Sequence, residues 1–104
     1  MLLHPIEKEI RGKKFTLYKF PAVEGREIVS NYSHSGMSGG DYKLNEAMML
    51  KMMCYVAVNL DGGALLKLTT RELVNNHAGD WEVLAEIEKE MMTYNCSFFK
   101  PGQS

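Results

Sequence analysis

Residues 45–58 read Asn-Glu-Ala-Met-Met-Leu-Lys-Met-Met-Cys-Tyr-Val-Ala-Val, and Lys51 is the only charge after Glu46. Wound as a helix at about 100° per residue, this stretch has no polar face. Met48, Met49, Met52, Met53 and Val56 fall on one stripe, with Leu50, Cys54 and Ala57 on the roughly opposite one. A helix apolar all round is normally buried all round. The rest of the chain must therefore wrap it, or a partner must help. A bilayer span needs about 20 apolar residues, so the stretch is too short and too closely flanked by charge to cross one. It reads as the central helix of a small soluble domain, capped by Asn45.

A chain of 104 residues is one domain by length, and at this size folding buries roughly 60 to 70% of the unfolded surface without metals or disulfides. Twelve Lys and Arg against thirteen Asp and Glu leave a formal charge of −1, which provides no field for a polyanion or an anionic membrane. Cys54 and Cys96 sit in apolar helical patterns, without a CxxC or a Cys/His pair at zinc spacing, and the N-terminus does not resemble a signal peptide. A reducing cytoplasm is the expected compartment. Six of the eight methionines occur as the pairs Met48-Met49, Met52-Met53 and Met91-Met92. Such flexible thioethers fill irregular cores and also make adaptable binding surfaces.

The flanking segments supply the other elements. Residues 6–10 and 15–20 favour extended structure around Arg11-Gly12-Lys13-Lys14. A turn across Gly12-Lys13 pairs Ile10 with Phe15 and Glu9 with Thr16, and sets Ile10, Phe15 and Leu17 on one face, against the helices. After Pro21, the residues Ala22, Gly25, Ile28, Val29 and Tyr32 make one apolar face of a short helix, in which Gly25 suggests close approach by another backbone. Residues 33–41, rich in Gly and Ser, form a flexible loop. The run Asn59-Leu60-Asp61-Gly62-Gly63 ends the central helix or tightens a hairpin. Residues 64–68 read as a third strand beside the N-terminal hairpin. Thr69 and Glu72 stand at capping-box spacing for a helix running to His77, and Asp80 caps the next, Trp81–Asn95. That last helix sets Val83, Leu84, Ile87, Met91 and Tyr94 on one face and Glu82, Glu86, Lys89, Glu90 and Thr93 on the other, with Trp81, Ala85 and Met92 as a narrower second apolar strip. The expected fold is α+β: a mainly helical single domain over residues 1–104, its N-terminal β-hairpin packed on three to four helices, closing in a polar tail at 100–104.

Three classes of function compete. Two helices joined by Ala78-Gly79-Asp80 outline a helix-turn-helix DNA-binding regulator. The second of them, however, carries Glu82, Glu86, Glu88 and Glu90 against Lys89 alone, whereas groove binding neutralises phosphates. An enzyme needs titratable groups converging in a pocket, but His4, His34 and His77 are scattered and no P-loop, dinucleotide or EF-hand pattern is present. No catalytic residue, cofactor or metal is expected. The third class binds other proteins through apolar surface left over once a small core is built. Met48, Met49, Met52, Met53, Val56, Met91, Met92, Phe98 and Phe99 are its expected partner-binding residues.

Residues 12–21 (Gly-Lys-Lys-Phe-Thr-Leu-Tyr-Lys-Phe-Pro), 68–77 (Leu-Thr-Thr-Arg-Glu-Leu-Val-Asn-Asn-His) and 80–99 (from Asp-Trp-Glu through Tyr-Asn-Cys-Ser-Phe-Phe) resemble the tail assembly chaperones of tailed bacteriophages and their prophages. The likeness covers nearly the whole chain and contains no catalytic motif. It implies a non-enzymatic, self-associating protein of the bacterial host cytoplasm. Such a protein shields the long, mostly helical tape-measure protein during tail assembly, with the tail-tube protein as a further partner and neither nucleic acid nor membrane involved. A structural tail-completion or connector protein of the virion is the alternative within the same setting.

Overall fold

The computed structural model describes residues 5–32 and 41–96. In chain order these form β1 (Ile6–Ile10), β2 (Lys13–Leu17), α1 (Ala22–Asn31), α2 (Tyr42–Met53), β3 (Val56–Asn59), a short turn at Asp61–Gly63, β4 (Leu65–Lys67), α3 (Arg71–Ala78) and α4 (Trp81–Asn95). The strands make one antiparallel sheet in the order β1-β2-β3-β4. The helices supply Ile28, Met48, Met52, Met53, Val74, Ala78, Val83, Ile87 and Met91 to a single core cluster with Ile10, Phe15, Leu17, Val56 and Val58. The α+β class and the N-terminal hairpin are as expected from the sequence.

The hairpin turns at Arg11-Gly12, one residue earlier than expected. Ile10 pairs with Lys13, Glu9 with Lys14 and Lys8 with Phe15. Arg11 and Gly12 have φ of 49° and 85°, the left-handed pair that matches the twist of two flanking strands. The register is thus displaced by two residues from the expected one. Because side chains alternate with period two, that displacement changes no face. Ile10, Phe15 and Leu17 all reach the core.

The largest departure lies in residues 45–58. Asp41 caps α2, its Oδ1 accepting from the N–H groups of Lys43 (3.0 Å) and Leu44 (3.2 Å), so the helix begins before Asn45. It ends at Met53. Val56, Ala57 and Val58 then form an interior strand, pairing Leu17 with Val56, Thr16 with Ala57 and Phe15 with Val58. A run apolar at every position carries no period, and a strand buried on both faces has the same signature as a buried helix. The β-branched valines favour the strand, and the open edge of β2 provides the partner. All three side chains are buried.

Residues 64–68 do contribute a strand, but β4 pairs with β3 rather than with the hairpin. The Asp61–Gly63 turn joins them, with the Leu60 N–H donating to the Ala64 carbonyl at 2.8 Å. Thr70 caps α3, accepting from the Leu73 N–H at 3.2 Å, one residue beyond the cap expected from the Thr69 and Glu72 spacing. On α1 only Ile28 is fully buried, while Ala22 and Val29 are exposed. The close neighbour of Gly25 is a side chain: a Cβ there would stand 2.9 Å from the Cβ of Phe20. The flexible loop expected at 33–41 lies outside the described residues apart from Asp41. On the sheet's far face, Thr16 Oγ1 donates to Asn59 Oδ1 at 2.7 Å and Asn59 Nδ2 to Glu7 Oε2 at 2.9 Å. Lys67 Nζ lies 4.6 Å from the ring centre of Tyr18.

Candidate partner-binding surface

Helix α4 starts where Asp80 Oδ1 accepts the Val83 N–H at 2.9 Å. Val83, Ile87 and Met91 follow at helical spacing and face the core. The next strip round the helix carries Trp81, Ala85, Glu88 and Met92, which are i, i+4, i+7 and i+11. Opposite it, α2 presents Tyr42, Asn45, Glu46 and Met49. Those four residues, with Trp81, Leu84, Ala85 and Glu88, line a hollow of about 150 Å³. A second hollow of about 280 Å³ opens between α3 and α4, over Val74, Asn75, Ala78, Gly79 and Asp80. Trp81 and Leu84 line both, so the indole stands on the ridge between them.

The two rings at this groove are unusually bare. Trp81 is 71% and Tyr42 63% exposed. Covering both removes roughly 250 Å² from water, on the order of 6 kcal/mol before the costs of association.

Carboxylates edge the groove, and no Lys or Arg lines either hollow among the described residues. Arg71 Nη1 reaches Glu46 Oε2 at 2.8 Å, and this hydrogen bond holds the Glu46 carboxyl below its ordinary value. Glu88 is 5% exposed and accepts the hydroxyl hydrogen of Tyr32. Asp80 serves as the cap of α4. An apolar floor with an acidic edge suits an apolar segment carrying positive charge.

The residues expected from the sequence to bind partners separate into three groups. Met48, Met52, Met53, Val56 and Met91 are buried and belong to the core, which corrects their assignment to a surface. The reason is the strand: once Val56 and its neighbours enter the sheet, α2 and α4 pack their sulfur side chains over it. Met49 and Met92 are half-buried at the margin of that core, and Met49 lines the groove. Phe98 and Phe99 lie outside the described residues. Trp81, Tyr42 and Leu84 are not among the partner-binding residues expected from the sequence. Tyr42 precedes the apolar run, and only the packing of α2 on α4 brings it to Trp81. The apolar strip of Trp81, Ala85 and Met92 is the sequence signal for this side of the groove, which Trp81 and Ala85 line.

Several other polar groups hold elements together. Arg11 Nε meets Glu86 Oε1 at 2.8 Å and its Nη1 lies 3.4 Å from Glu82 Oε1. Lys13 Nζ donates to the His77 carbonyl at 2.8 Å. The basic hairpin tip is thus folded onto the acidic helix that a helix-turn-helix reading would place against phosphates. Burial raises the thiol of Cys96, with Lys19 opposing the effect. The described residues contain no group of three potential metal ligands and no helix long and apolar enough to cross a membrane. His4 and His34 lie outside them.

Fold and groove together define a small α+β protein whose helical layer exposes two aromatic rings over a hollow with an acidic edge. Compared with family models, characterised proteins and solved structures, the chain matches none.

Proposed function

We propose that this chain is a non-enzymatic protein-binding module acting as a phage tail assembly chaperone. It self-associates and shields the tape-measure protein in the bacterial cytoplasm, with the tail-tube protein as a further partner. The grip is the groove between α2 and α4. The observation that carries this reading is Trp81, 71% exposed beside a Tyr42 that is 63% exposed, above hollows floored by Met49, Leu84 and Val74. Trp and Tyr dominate the energetics of protein interfaces, and contiguous apolar patches on a monomer mark partner sites. The likeness of residues 12–21, 68–77 and 80–99 to tail assembly chaperones supports the tape-measure protein as the partner.

Co-expression with tape-measure fragments tests the proposal. The wild-type chain should keep such fragments soluble, and the Trp81→Ala, Tyr42→Ala double variant should lose most of that effect while keeping its circular dichroism spectrum. Equal protection by the folded double variant would overturn the groove as the grip. Mass spectrometry of purified virions adds a second readout. A chaperone is absent from the finished tail, whereas stoichiometric presence would establish the connector or tail-completion role instead.

A further inference from the structure

The groove beside Trp81 and the phenylalanines beyond α4 complement one another. The groove has an apolar floor, Glu46, Asp80 and Glu88 are among its lining residues, and no cationic side chain is, although Arg71 pairs with Glu46 from outside. Ser97-Phe98-Phe99-Lys100 carries two large apolar side chains followed by a cation, and no acidic residue lies between Cys96 and Ser104. We propose that the occupant of this groove, in the absence of a client, is the Phe98-Phe99 pair of a second copy of this chain. The proposal rests on the reading of the groove as a protein-binding surface.

Reach decides between the chain's own Trp81 and a neighbour's. Helix α4 ends at Asn95. Trp81 lies at its start, so Cys96 stands about 22 Å from it along the axis at 1.5 Å per residue. Phe99 is three residues beyond Cys96, and a fully extended chain of that length covers only about 10 Å. The pair therefore cannot return to its own Trp81. In a second copy no such limit applies, and Lys100 arrives beside the carboxylates of the groove.

Donor segment and acceptor groove lie towards opposite ends of α4. The contact is accordingly heterologous: each copy gives one segment and receives another, and successive copies close into a ring or extend as a filament. Two phenylalanines and one ion pair form a small interface of the weak, exchangeable kind. A client segment with stronger apolar contacts displaces it.

Sedimentation velocity on the full chain tests this through complementation. The wild type should gain mass with concentration. The Phe98→Ser, Phe99→Ser variant retains its groove, the Trp81→Ala variant retains its segment, and each alone should sediment as a monomer. Mixed in equal amounts they should form one-to-one dimers and nothing larger, because each pair has only one competent contact. Tyr42→Ala serves as a second groove variant should Trp81→Ala be unstable. Trp81 is the only tryptophan in the chain. Its emission should shift to the blue as wild-type concentration rises and stay constant in the Phe98→Ser, Phe99→Ser variant. Association of either variant at wild-type strength, a mixture that remains monomeric, or a wild type that never associates would each overturn the proposal. The tape-measure assay is read separately. Loss of client protection with intact complementation would sink the chaperone reading alone, and client protection without complementation would sink this one alone.

Discussion

The side-chain oxygen of Asn95, the last residue of α4, accepts the backbone N–H of Phe20 at 2.9 Å. Its amide nitrogen donates to the carbonyls of Met91 at 3.0 Å and Tyr18 at 3.4 Å. One side chain thus ties the end of the last helix to the segment leading from β2 into α1. Alongside it, Lys19 Nζ donates to the Tyr94 carbonyl at 2.6 Å. Replacing Asn95 with Ala leaves partly buried backbone groups without partners and should cost about 1–3 kcal/mol. Urea denaturation measures it. A loss below about 0.5 kcal/mol would show that water satisfies these groups equally well.

Met52 and Met49 separate core from groove. Met52 is fully buried, whereas Met49 is half-buried and lines the hollow beside Trp81. Met52→Ala should cost about 2–5 kcal/mol through lost burial and a residual cavity. Met49→Ala should cost under about 1.5 kcal/mol in the isolated chain. Comparable losses at the two sites would mean that α2 lies differently on the sheet.

Arg11 holds a left-handed backbone at φ 49° while pairing with Glu82 and Glu86. Asparagine adopts that conformation more readily, and Asn-Gly is the favoured pair for this turn. The ion pairs are half exposed and screened by salt. Arg11→Asn should therefore exceed the wild type in stability by about 0.5–1 kcal/mol in roughly 1 M salt. A variant less stable than the wild type under that condition would contradict the turn geometry.

Tyr55 donates its hydroxyl hydrogen to Glu24. That hydrogen bond first, then burial and the charge of Glu24, push the phenol from 10.0 up to about 12. The folded chain keeps a proton that the unfolded chain releases above pH 10.0, so the associated stability is complete below that value and is lost as pH rises towards 12. The stability difference between wild type and Tyr55→Phe should hold steady up to about pH 10 and shrink beyond it. A difference that stays constant to the top of that window would remove the proton linkage.

Legibility followed the range of the signals. Asp80 and the alternation of apolar and acidic residues after it located α4 from Trp81 to Asn95, because a cap and a helical period are both local. Pattern also placed Ile10, Phe15 and Leu17 on one face, although the turn was displaced by a residue. The groove was legible by half: Trp81 and Ala85 belong to an apolar strip written on one helix, whereas Tyr42 and Met49 come from another, and no local pattern announces that they meet. Nor does composition distinguish a methionine that packs from one that binds.

The sequence by itself determined where polar and apolar residues alternate, and with that the boundaries of α4, the buried face of the hairpin and the α+β class. Only the tertiary structure decided the fate of Val56, Ala57 and Val58. A segment apolar at every position is equally content as helix or strand, and the choice falls to whichever partner satisfies its backbone. Here the free edge of β2 does so, and with two valines and an alanine taken into the sheet, the methionines of α2 close over them and leave the rings of Trp81 and Tyr42 exposed at the groove.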